Sequence, residues 1–236
     1  MFRSIYTFGV GVALIAWPFP ASAYQTATVA DGGTIQGKVV FNGPVPKRMI
    51  IPTKDQEVCG NPREEPEILV GPGNGVREAI VYLEGIATGK PWPTAEKAPE
   101  LDNRQCRFQP HVQVIQPGKI TVVNSDPMLH NTKAFYGRRT AFNIALPNKD
   151  QRIDAELPRT GTVRIECDAH GWMRGWVHVA ETPYYAVTGE DGTFSIADVP
   201  PGNYTLVVNQ PAVPPMQIPV TVKPKETSQV AVELKK

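Results

Sequence analysis

A chain of 236 residues is long enough for one large or two small domains with real hydrophobic cores. Its 24 Lys and Arg residues against 23 Asp and Glu residues leave a formal charge of +1, which argues against a nucleic acid or an anionic membrane as partner. The 24 prolines and 20 glycines keep the apolar runs short. This composition predicts an all-β fold of many brief strands joined by turns.

Residues 1–23 have the pattern of a secretory signal. Arg3 precedes a mostly apolar run over residues 5–17, and Ala21-Ser22-Ala23 is a small-residue cleavage pattern. Cleavage is predicted after Ala23, which would place the mature protein in the periplasm or outside the cell. A retained anchor is the alternative, but the run is short for a bilayer and Pro18 follows it, so no stable membrane insertion is expected.

The first half of the chain predicts few strands and much loop. Residues 34–41 alternate with strand period, and residues 79–85 form an apolar run that ends in glycine. Six prolines within residues 44–75 predict a loop with one short strand at 67–70, and residues 86–100 read as an exposed connection. The glycine-rich stretch 71–75 is not followed by Gly-Lys-Ser/Thr, so a phosphate-binding loop is rejected in favour of ordinary turns.

Further along, strands lead directly into residues that can bind a metal. A strand over 120–124 is followed by a loop that carries His130, and a strand over 162–166 ends at Cys167. Residues 176–179 alternate again, so the segment after Cys167 is the loop of a strand-loop-strand unit. From residue 182 onward, short strands and glycine turns predict a small β-sandwich.

The loop after Cys167 gathers a thiol, an imidazole and a thioether. Cys167, His170 and Met173 follow one another at intervals of three residues, a combination that favours a soft transition metal. A mononuclear copper centre needs a thiolate, two imidazoles and a weak axial thioether, and His130 supplies the second imidazole from upstream. Met128 is the alternative axial ligand. His111 and His178 are interpreted as hydrogen-bonded or surface residues.

Three cysteines in an exported chain leave one unpaired. If Cys167 is a metal thiolate, Cys59 and Cys106 remain as a disulfide pair that would constrain a long proline-rich segment. The alternative, in which Cys167 pairs with one of the other two, is disfavoured because Cys167 stands among other soft ligands.

These residues resemble those of the cupredoxins, the blue-copper proteins. The similarity covers 108–110, the Pro117-Gly118 turn, 123–126, His130-Asn131 and the Cys-x2-His-x2-Met turn, whose spacing is similar to the ligand loop of amicyanin. The resemblance implies one type 1 copper, with His130, Cys167 and His170 as equatorial ligands and Met173 as the axial one. It also implies that Asn131 ties the two ligand loops together. Gly171 and Trp172, which flank His170, are expected either simply to pack or to form an apolar rim around an exposed ligand edge where redox partners dock.

A second resemblance is to carboxypeptidase-regulatory-like (transthyretin-like) domains. It rests on residues 33–39, 79–85, 187–194 and 199–206, which follow that family's order. Together the two resemblances imply a signal peptide at 1–23, a discontinuous sandwich formed by 33–85 and 182–236, and a cupredoxin domain at 100–181. The expected architecture is a Greek-key cupredoxin sandwich inserted in, or packed on, a second small sandwich.

The leading functional hypothesis is an exported copper protein, not an enzyme, that transfers single electrons with a c-type cytochrome or a dehydrogenase as redox partner. The alternatives are a periplasmic copper store or carrier and a structural adhesion module with a vestigial copper loop. Hydrolase chemistry is disfavoured because the sequence has no Gly-x-Ser-x-Gly elbow, and because four protein ligands leave no open metal position for a substrate.

Overall fold

The computed structural model describes residues 24–94 and 96–235, and the predicted signal segment lies outside these ranges. In the described ranges the protein is built almost entirely of β-strands, which confirms the all-β fold class. None of the helices in these ranges has the length and apolar character needed to cross a membrane.

The strands up to the middle of the chain are β1 (Gln25–Thr26), β2 (Gly33–Phe41), β3 (Lys47–Ile50), β4 (Arg63–Pro66), β5 (Ile80–Glu84), β6 (Thr88–Gly89), β7 (Glu100–Arg104), β8 (Arg107–Gln109), β9 (Val112–Ile115) and β10 (Gly118–Asn124). They are followed by β11 (His130–Tyr136), β12 (Arg139–Leu146), β13 (Gln151–Leu157), β14 (Gly161–Cys167), β15 (Arg174–Val179), β16 (Tyr185–Val187), β17 (Thr193–Val199), β18 (Gly202–Asn209), β19 (Met216–Val222) and β20 (Thr227–Leu234). A single-turn helix α1 (Gln56–Cys59) and a 3-10 turn (Pro72–Asn74) complete the elements.

The first sandwich combines the start and the end of the chain. One sheet has the order β16-β5-β18-β19 and the other the order β17-β2-β20. Residues that alternate along these strands face each other in one core, which includes Ile35, Val81, Leu206, Val208 and Val232. Alternation with period two is therefore what makes each strand bury one face here.

The second sandwich is formed by the middle of the chain. Its sheets have the orders β13-β10-β7-β8 and β12-β11-β14-β15-β9. Its separate core includes Leu101, Ile120, Val163, Ile165 and Val177, together with Cys167 and Met173 of the ligand loop. The candidate ligands thus belong to the core of this sandwich and not to its surface.

The chain leaves the first sandwich after β5 and returns to it at β16. These two strands are antiparallel neighbours, with Tyr82 opposite Tyr185. Because the exit and the return are adjacent, the whole second sandwich can stand between them without breaking the first sheet.

Polar and aromatic contacts join the two sandwiches. The ring of His178 stacks on Tyr82 with centroids 4.5 Å apart, and His178 Nδ1 lies 3.1 Å from Thr162 Oγ1. Asn209 Nδ2 donates to the same hydroxyl at 3.0 Å. Burial lowers the pKa of His178 to about 4. The histidine is therefore held neutral between the two cores, hydrogen-bonded as expected but not on the surface.

Residues 44–75 differ from the predicted loop. Strands β3 and β4 form an antiparallel hairpin around α1, whereas the predicted strand at 67–70 is reduced to a single bridge between Val70 and Val76. We call residues 47–66 the covering segment. It packs on the second sandwich: Cys59 is bonded to Cys106, and Arg48 Nη1 donates to the carbonyl of Trp172 at 3.0 Å. The prediction failed because this hairpin is stabilised by contacts with distant residues.

His178 should make the protein sensitive to acid. Between pH 6.5 and pH 4 the unfolded chain binds a proton at this histidine that the folded protein does not, so stability falls as the pH falls through that window. The full effect is about 3 kcal/mol at most. His178→Gln should flatten the decrease in the free energy of unfolding across this window, measured by urea denaturation. His111→Gln is the control and should retain the wild-type decrease, and an unchanged slope in His178→Gln would contradict this role.

Candidate metal centre

Cys167 ends strand β14, at the point where the chain turns into the ligand loop. Strands β14 and β15 pair in register up to Glu166 and Arg174, so residues 167–173 form a tight connection between them. Met173 N–H donates to the carbonyl of His170 at 2.9 Å, which closes the turn. Cys167 also lies opposite Thr132 of β11, two residues from His130. The sheet register therefore brings the two distant parts of the sequence together.

His130 begins strand β11 and is preceded by a loop with its own hydrogen bonds. Asn124, at the end of β10, donates through Nδ2 to the carbonyls of Met128 and Leu146, at 2.9 and 3.0 Å. Its Oδ1 accepts the amide of Asp126 at 3.0 Å. Asn124 is fully buried, so these bonds fix the loop from inside the core.

Three candidate ligand atoms converge in the second core. Cys167 Sγ lies 3.8 Å from the Nδ1 atoms of both His130 and His170, and these two nitrogens are 3.1 Å apart. A point equidistant from the three atoms lies about 2.1 Å from each, close to the roughly 2.0–2.3 Å that histidine nitrogen and cysteine sulfur keep from zinc. All three side chains are buried. The spacing therefore suits one metal ion.

Met173 is buried in the same core cluster as Cys167. Its backbone N–H donates to the carbonyl of His170 and so closes the turn. Its role as the axial ligand stays a prediction, based on its position in the loop and on the softness of its sulfur. Met128 is tied into the loop before His130 through its carbonyl.

The thiol and the imidazole shift each other's protonation. Burial by itself raises the pKa of Cys167, but hydrogen bonds with His130 and His170 and the amide of Asn131 lower it to about 6. Burial by itself lowers the pKa of His130, but hydrogen bonds with Asp126 and Cys167 raise it to about 9. A thiolate beside an imidazolium is the result at neutral pH, and a metal cation can replace the proton that they share.

Each histidine has a carboxylate on its far nitrogen. His130 Nε2 lies 2.9 Å from Asp126 Oδ2, and Asp126 accepts the amides of Gln105 and Cys106 at 2.7 and 2.9 Å. His170 Nε2 lies 2.9 Å from Asp55 Oδ2. A carboxylate that accepts a hydrogen bond from Nε2 keeps the ring proton on Nε2 and leaves the lone pair of Nδ1 free to coordinate a metal. Outer residues orient metal-bound imidazoles in this way.

His170 differs from the expectation of an exposed ligand edge. Its side chain has 0% exposure, because Asp55 and the rest of the covering segment lie over it. Trp172 contacts the imidazole edge-on, with ring centroids 5.2 Å apart, and does not border an open edge. The expected apolar rim around an exposed histidine is therefore wrong for this chain. The physical reason is that a buried imidazole needs a hydrogen-bond partner on its second nitrogen, and here Asp55 of the covering segment provides it.

Asn131 joins the two ligand loops through its backbone. Its amide N–H donates to Cys167 Sγ at 3.4 Å, whereas its side-chain Nδ2 donates to Asn143 Oδ1 at 2.8 Å, on the neighbouring strand β12. The contact with the sulfur thus does not require an asparagine side chain. A thiolate that accepts a backbone N–H is stabilised in its charged form.

The disulfide Cys59–Cys106 lies directly beside the histidines, and Cys167 is the free cysteine. The two disulfide sulfurs and one ring nitrogen of His170 lie within 4.8 Å of one another. The same holds for Cys106 Sγ with ligand atoms of Asp126 and His130. The bridge therefore attaches the covering segment at the place where it closes the site.

Two functional residues were missed by sequence reasoning. Asp126 stands four residues before His130, and an acidic residue so close to a candidate ligand was a usable signal. Asp55 is 115 residues from His170 and has no local signal. Its backbone is in the left-handed region, with φ 52°, at the start of α1. His111, by contrast, is outside the site and contacts Glu78 at 2.8 Å.

Residues 175–235 match the family model of the carboxypeptidase regulatory-like domain. Among solved structures, the chain is similar to the purple cupredoxin of Nitrosopumilus maritimus, at 22% identity and TM-score 0.31, over 35% of this chain and 99% of that one. The chain resembles both families. The two resemblances stated from the sequence are confirmed in this sense. No curated protein matches the sequence.

Two further solved structures share the similarity. Amicyanin from Paracoccus versutus matches at 20% identity and TM-score 0.33, over 42% of this chain and 97% of that one. A copper-containing nitrite reductase from Thermus scotoductus matches at 18% identity and TM-score 0.33, over 38% of this chain and 24% of that one.

Replacing the carboxylate of Asp55 by an amide should weaken metal binding. Asn tolerates the left-handed backbone of this position, so Asp55→Asn changes the hydrogen bond to His170 with little strain. We expect a loss of about 10–100-fold in Cu(II) affinity, measured by competition with a chelator. Asp154→Asn, at an exposed carboxylate outside the site, is the matched control. Equal affinities of Asp55→Asn and the control would show that the outer carboxylate does not support the ligand.

Proposed function

We propose that this protein binds one copper ion and transfers single electrons, with His130, Cys167 and His170 as equatorial ligands and Met173 as the axial ligand. The observation that carries the proposal is the triangle formed by Cys167 Sγ and the two Nδ1 atoms, with sides of 3.8, 3.8 and 3.1 Å. Two imidazoles and a thiolate around one point, with a thioether nearby in the loop, are the donor set of electron-transfer copper sites.

The donor set favours copper over other biological metals. Structural zinc sites close their coordination with four strong ligands, whereas a thioether is a weak and soft fourth donor. Hard ions such as magnesium and calcium prefer oxygen ligands and would not select a thiolate. The ligands are buried, and this supports a closed site without a position for substrate water.

A bound copper ion would supply the one-electron chemistry, and the chain would supply a frame that changes little. Cys167 is fixed by β14 and His130 by β11, and these strands are paired directly. Asp126 and Asp55 restrain the far nitrogens of the two imidazoles. A frame that holds its ligands rigidly reduces the rearrangement that accompanies oxidation and reduction.

The organisation of the protein belongs to the same proposal. Residues 33–85 and 182–236 would form the carboxypeptidase-regulatory-like domain, and residues 100–181 the cupredoxin domain. The protein would be exported after cleavage behind Ala23, would act without catalysing a reaction of its own, and would exchange electrons with a c-type cytochrome or a dehydrogenase. The separate hydrophobic cores of the two sandwiches support this division.

The visible spectrum of the copper-loaded protein tests this assignment. Adding Cu(II) should give an intense thiolate-to-copper charge-transfer band, because the thiolate is a direct ligand. Cys167→Ser should abolish the band, whereas His111→Gln, at a histidine outside the site, should retain it. A colourless wild-type protein in the presence of stoichiometric Cu(II) would exclude a copper–thiolate centre.

A second candidate function, copper binding without electron transfer, is supported by the burial of His170. Its ring is closed off by Asp55 and the disulfide-linked covering segment, so no imidazole edge reaches the surface. A closed site of this kind would retain copper well and would suit a store or a carrier. The ligands would be the same in both functions, so rates must separate them.

Two rates distinguish electron transfer from copper holding. The Cu(I) protein is mixed either with an oxidised c-type cytochrome or with a Cu(I) chelator, and both reactions are followed by absorbance. An electron carrier should be oxidised by the cytochrome within seconds and lose copper slowly, because its ligands stay in place. Slow oxidation by the cytochrome would favour copper holding, and the rate of loss to the chelator would then separate a copper carrier, which releases the ion, from a copper store, which retains it. The disulfide-free variant Cys59→Ala/Cys106→Ala should lose copper faster in either case.

A further inference from the structure

A cavity of about 710 Å³ lies between the covering segment, the ligand loop and the first sandwich. Its walls include Arg48 and Glu65 of the hairpin, Trp172 and Arg174 of the loop and its following strand, and Gln210. Cavities of roughly 300–1,000 Å³ are the usual size of small-molecule sites. The cavity also touches Met173, so it lies beside the proposed metal centre but uses different side chains.

Positive charge is in excess in this cavity. Five arginines and four glutamates line it. Two of the glutamates have other partners, since Glu64 contacts Lys47 at 3.2 Å and Glu78 contacts His111 at 2.8 Å. One of the arginines, Arg77, reaches a glutamate outside the cavity at 3.9 Å. When these three residues are set aside, the cavity has four guanidinium groups and two carboxylates.

The carboxylate of Glu65 contacts three of these arginines. Glu65 contacts Arg63 at 2.8 Å, Arg107 at 2.6 Å and Arg48 at 3.7 Å. The fourth, Arg174, has no acidic side chain within ion-pair distance in the part of the chain that the structure describes. Burial lowers the pKa of Arg48, the charge of Arg174 lowers it further, and the charges of Glu65 and Glu67 raise it. An anion placed between Arg48 and Arg174 would relieve this repulsion.

The cavity also offers flat apolar surfaces. Trp172, Trp176 and Phe108 line it together with Pro110.

We propose that this cavity binds a small organic anion, a carboxylate or a phosphate monoester carried on a flat apolar ring. Arg174 holds the charged group, because a guanidinium donates two parallel hydrogen bonds to such oxygens, and Arg48 adds its positive charge beside it. The tryptophans and Phe108 contact the ring. The site is separate from copper binding and does not depend on the proposed electron transfer.

The test uses the full mature chain and three probes that share a benzene ring. Benzoate and phenyl phosphate carry a charge, and benzyl alcohol is the neutral match. Isothermal titration calorimetry at low ionic strength should give at least one anion a Kd below about 1 mM, with benzyl alcohol at least tenfold weaker. Arg174→Gln should weaken the bound anion about tenfold or more, because a charge-assisted contact is lost.

Two further variants control this result. Arg139→Gln removes an exposed arginine from strand β12, away from the cavity, and should bind as the wild type does. Arg48→Gln removes the other guanidinium assigned to the charged group and replaces the Arg174 test if that variant does not fold. Failure of both anions to bind, equal binding of benzyl alcohol, or unchanged affinity in the cavity variants would overturn the proposal.

Discussion

Burying a thiolate and two imidazoles inside an apolar core is the constraint on which the site depends. Each polar atom removed from water must find a partner in the protein, or the folded state is destabilised. The thiolate of Cys167 meets both imidazoles and a backbone amide, and Asp126 meets both His130 and two further amides. The loops around the site are fixed by these requirements, and the strands β11 and β14 only bring the ligands within reach.

The same constraint explains why the covering segment lies over the site. His170 Nε2 needs an acceptor, and the second sandwich does not supply one. The first half of the chain supplies Asp55, on a segment that is tied down by the disulfide Cys59–Cys106 and by Arg48. The first sandwich is therefore more than a spacer, because the covering segment follows its strand β2 and completes the surroundings of a candidate ligand.

Features that a local sequence pattern encodes could be predicted, whereas features that depend on contacts between distant residues could not. The period of two in residues 34–41 and the three-residue spacing of Cys167, His170 and Met173 are local, and they indicated the all-β fold and three of the candidate ligands. His130 is distant but stands in a recognisable loop. Asp55 and the burial of His178 depend on contacts between parts of the chain that are far apart, and no local pattern encodes them. The hairpin in residues 47–66, where the sequence predicts a loop, depends on distant contacts in the same way.

If the site holds the proposed copper ion, its closure also limits the way in which electrons could reach the metal. With His170 covered, one route for an electron would be the hydrogen bond to Asp55, whose side chain is 29% exposed, and another would be the side of Trp172. The first route runs through a negatively charged group, which would favour a partner with a positively charged surface. A carboxylate on each imidazole also makes the ligands better donors and stabilises the more highly charged Cu(II) state. Covering the site and lowering its potential would then be two consequences of the same pair of hydrogen bonds.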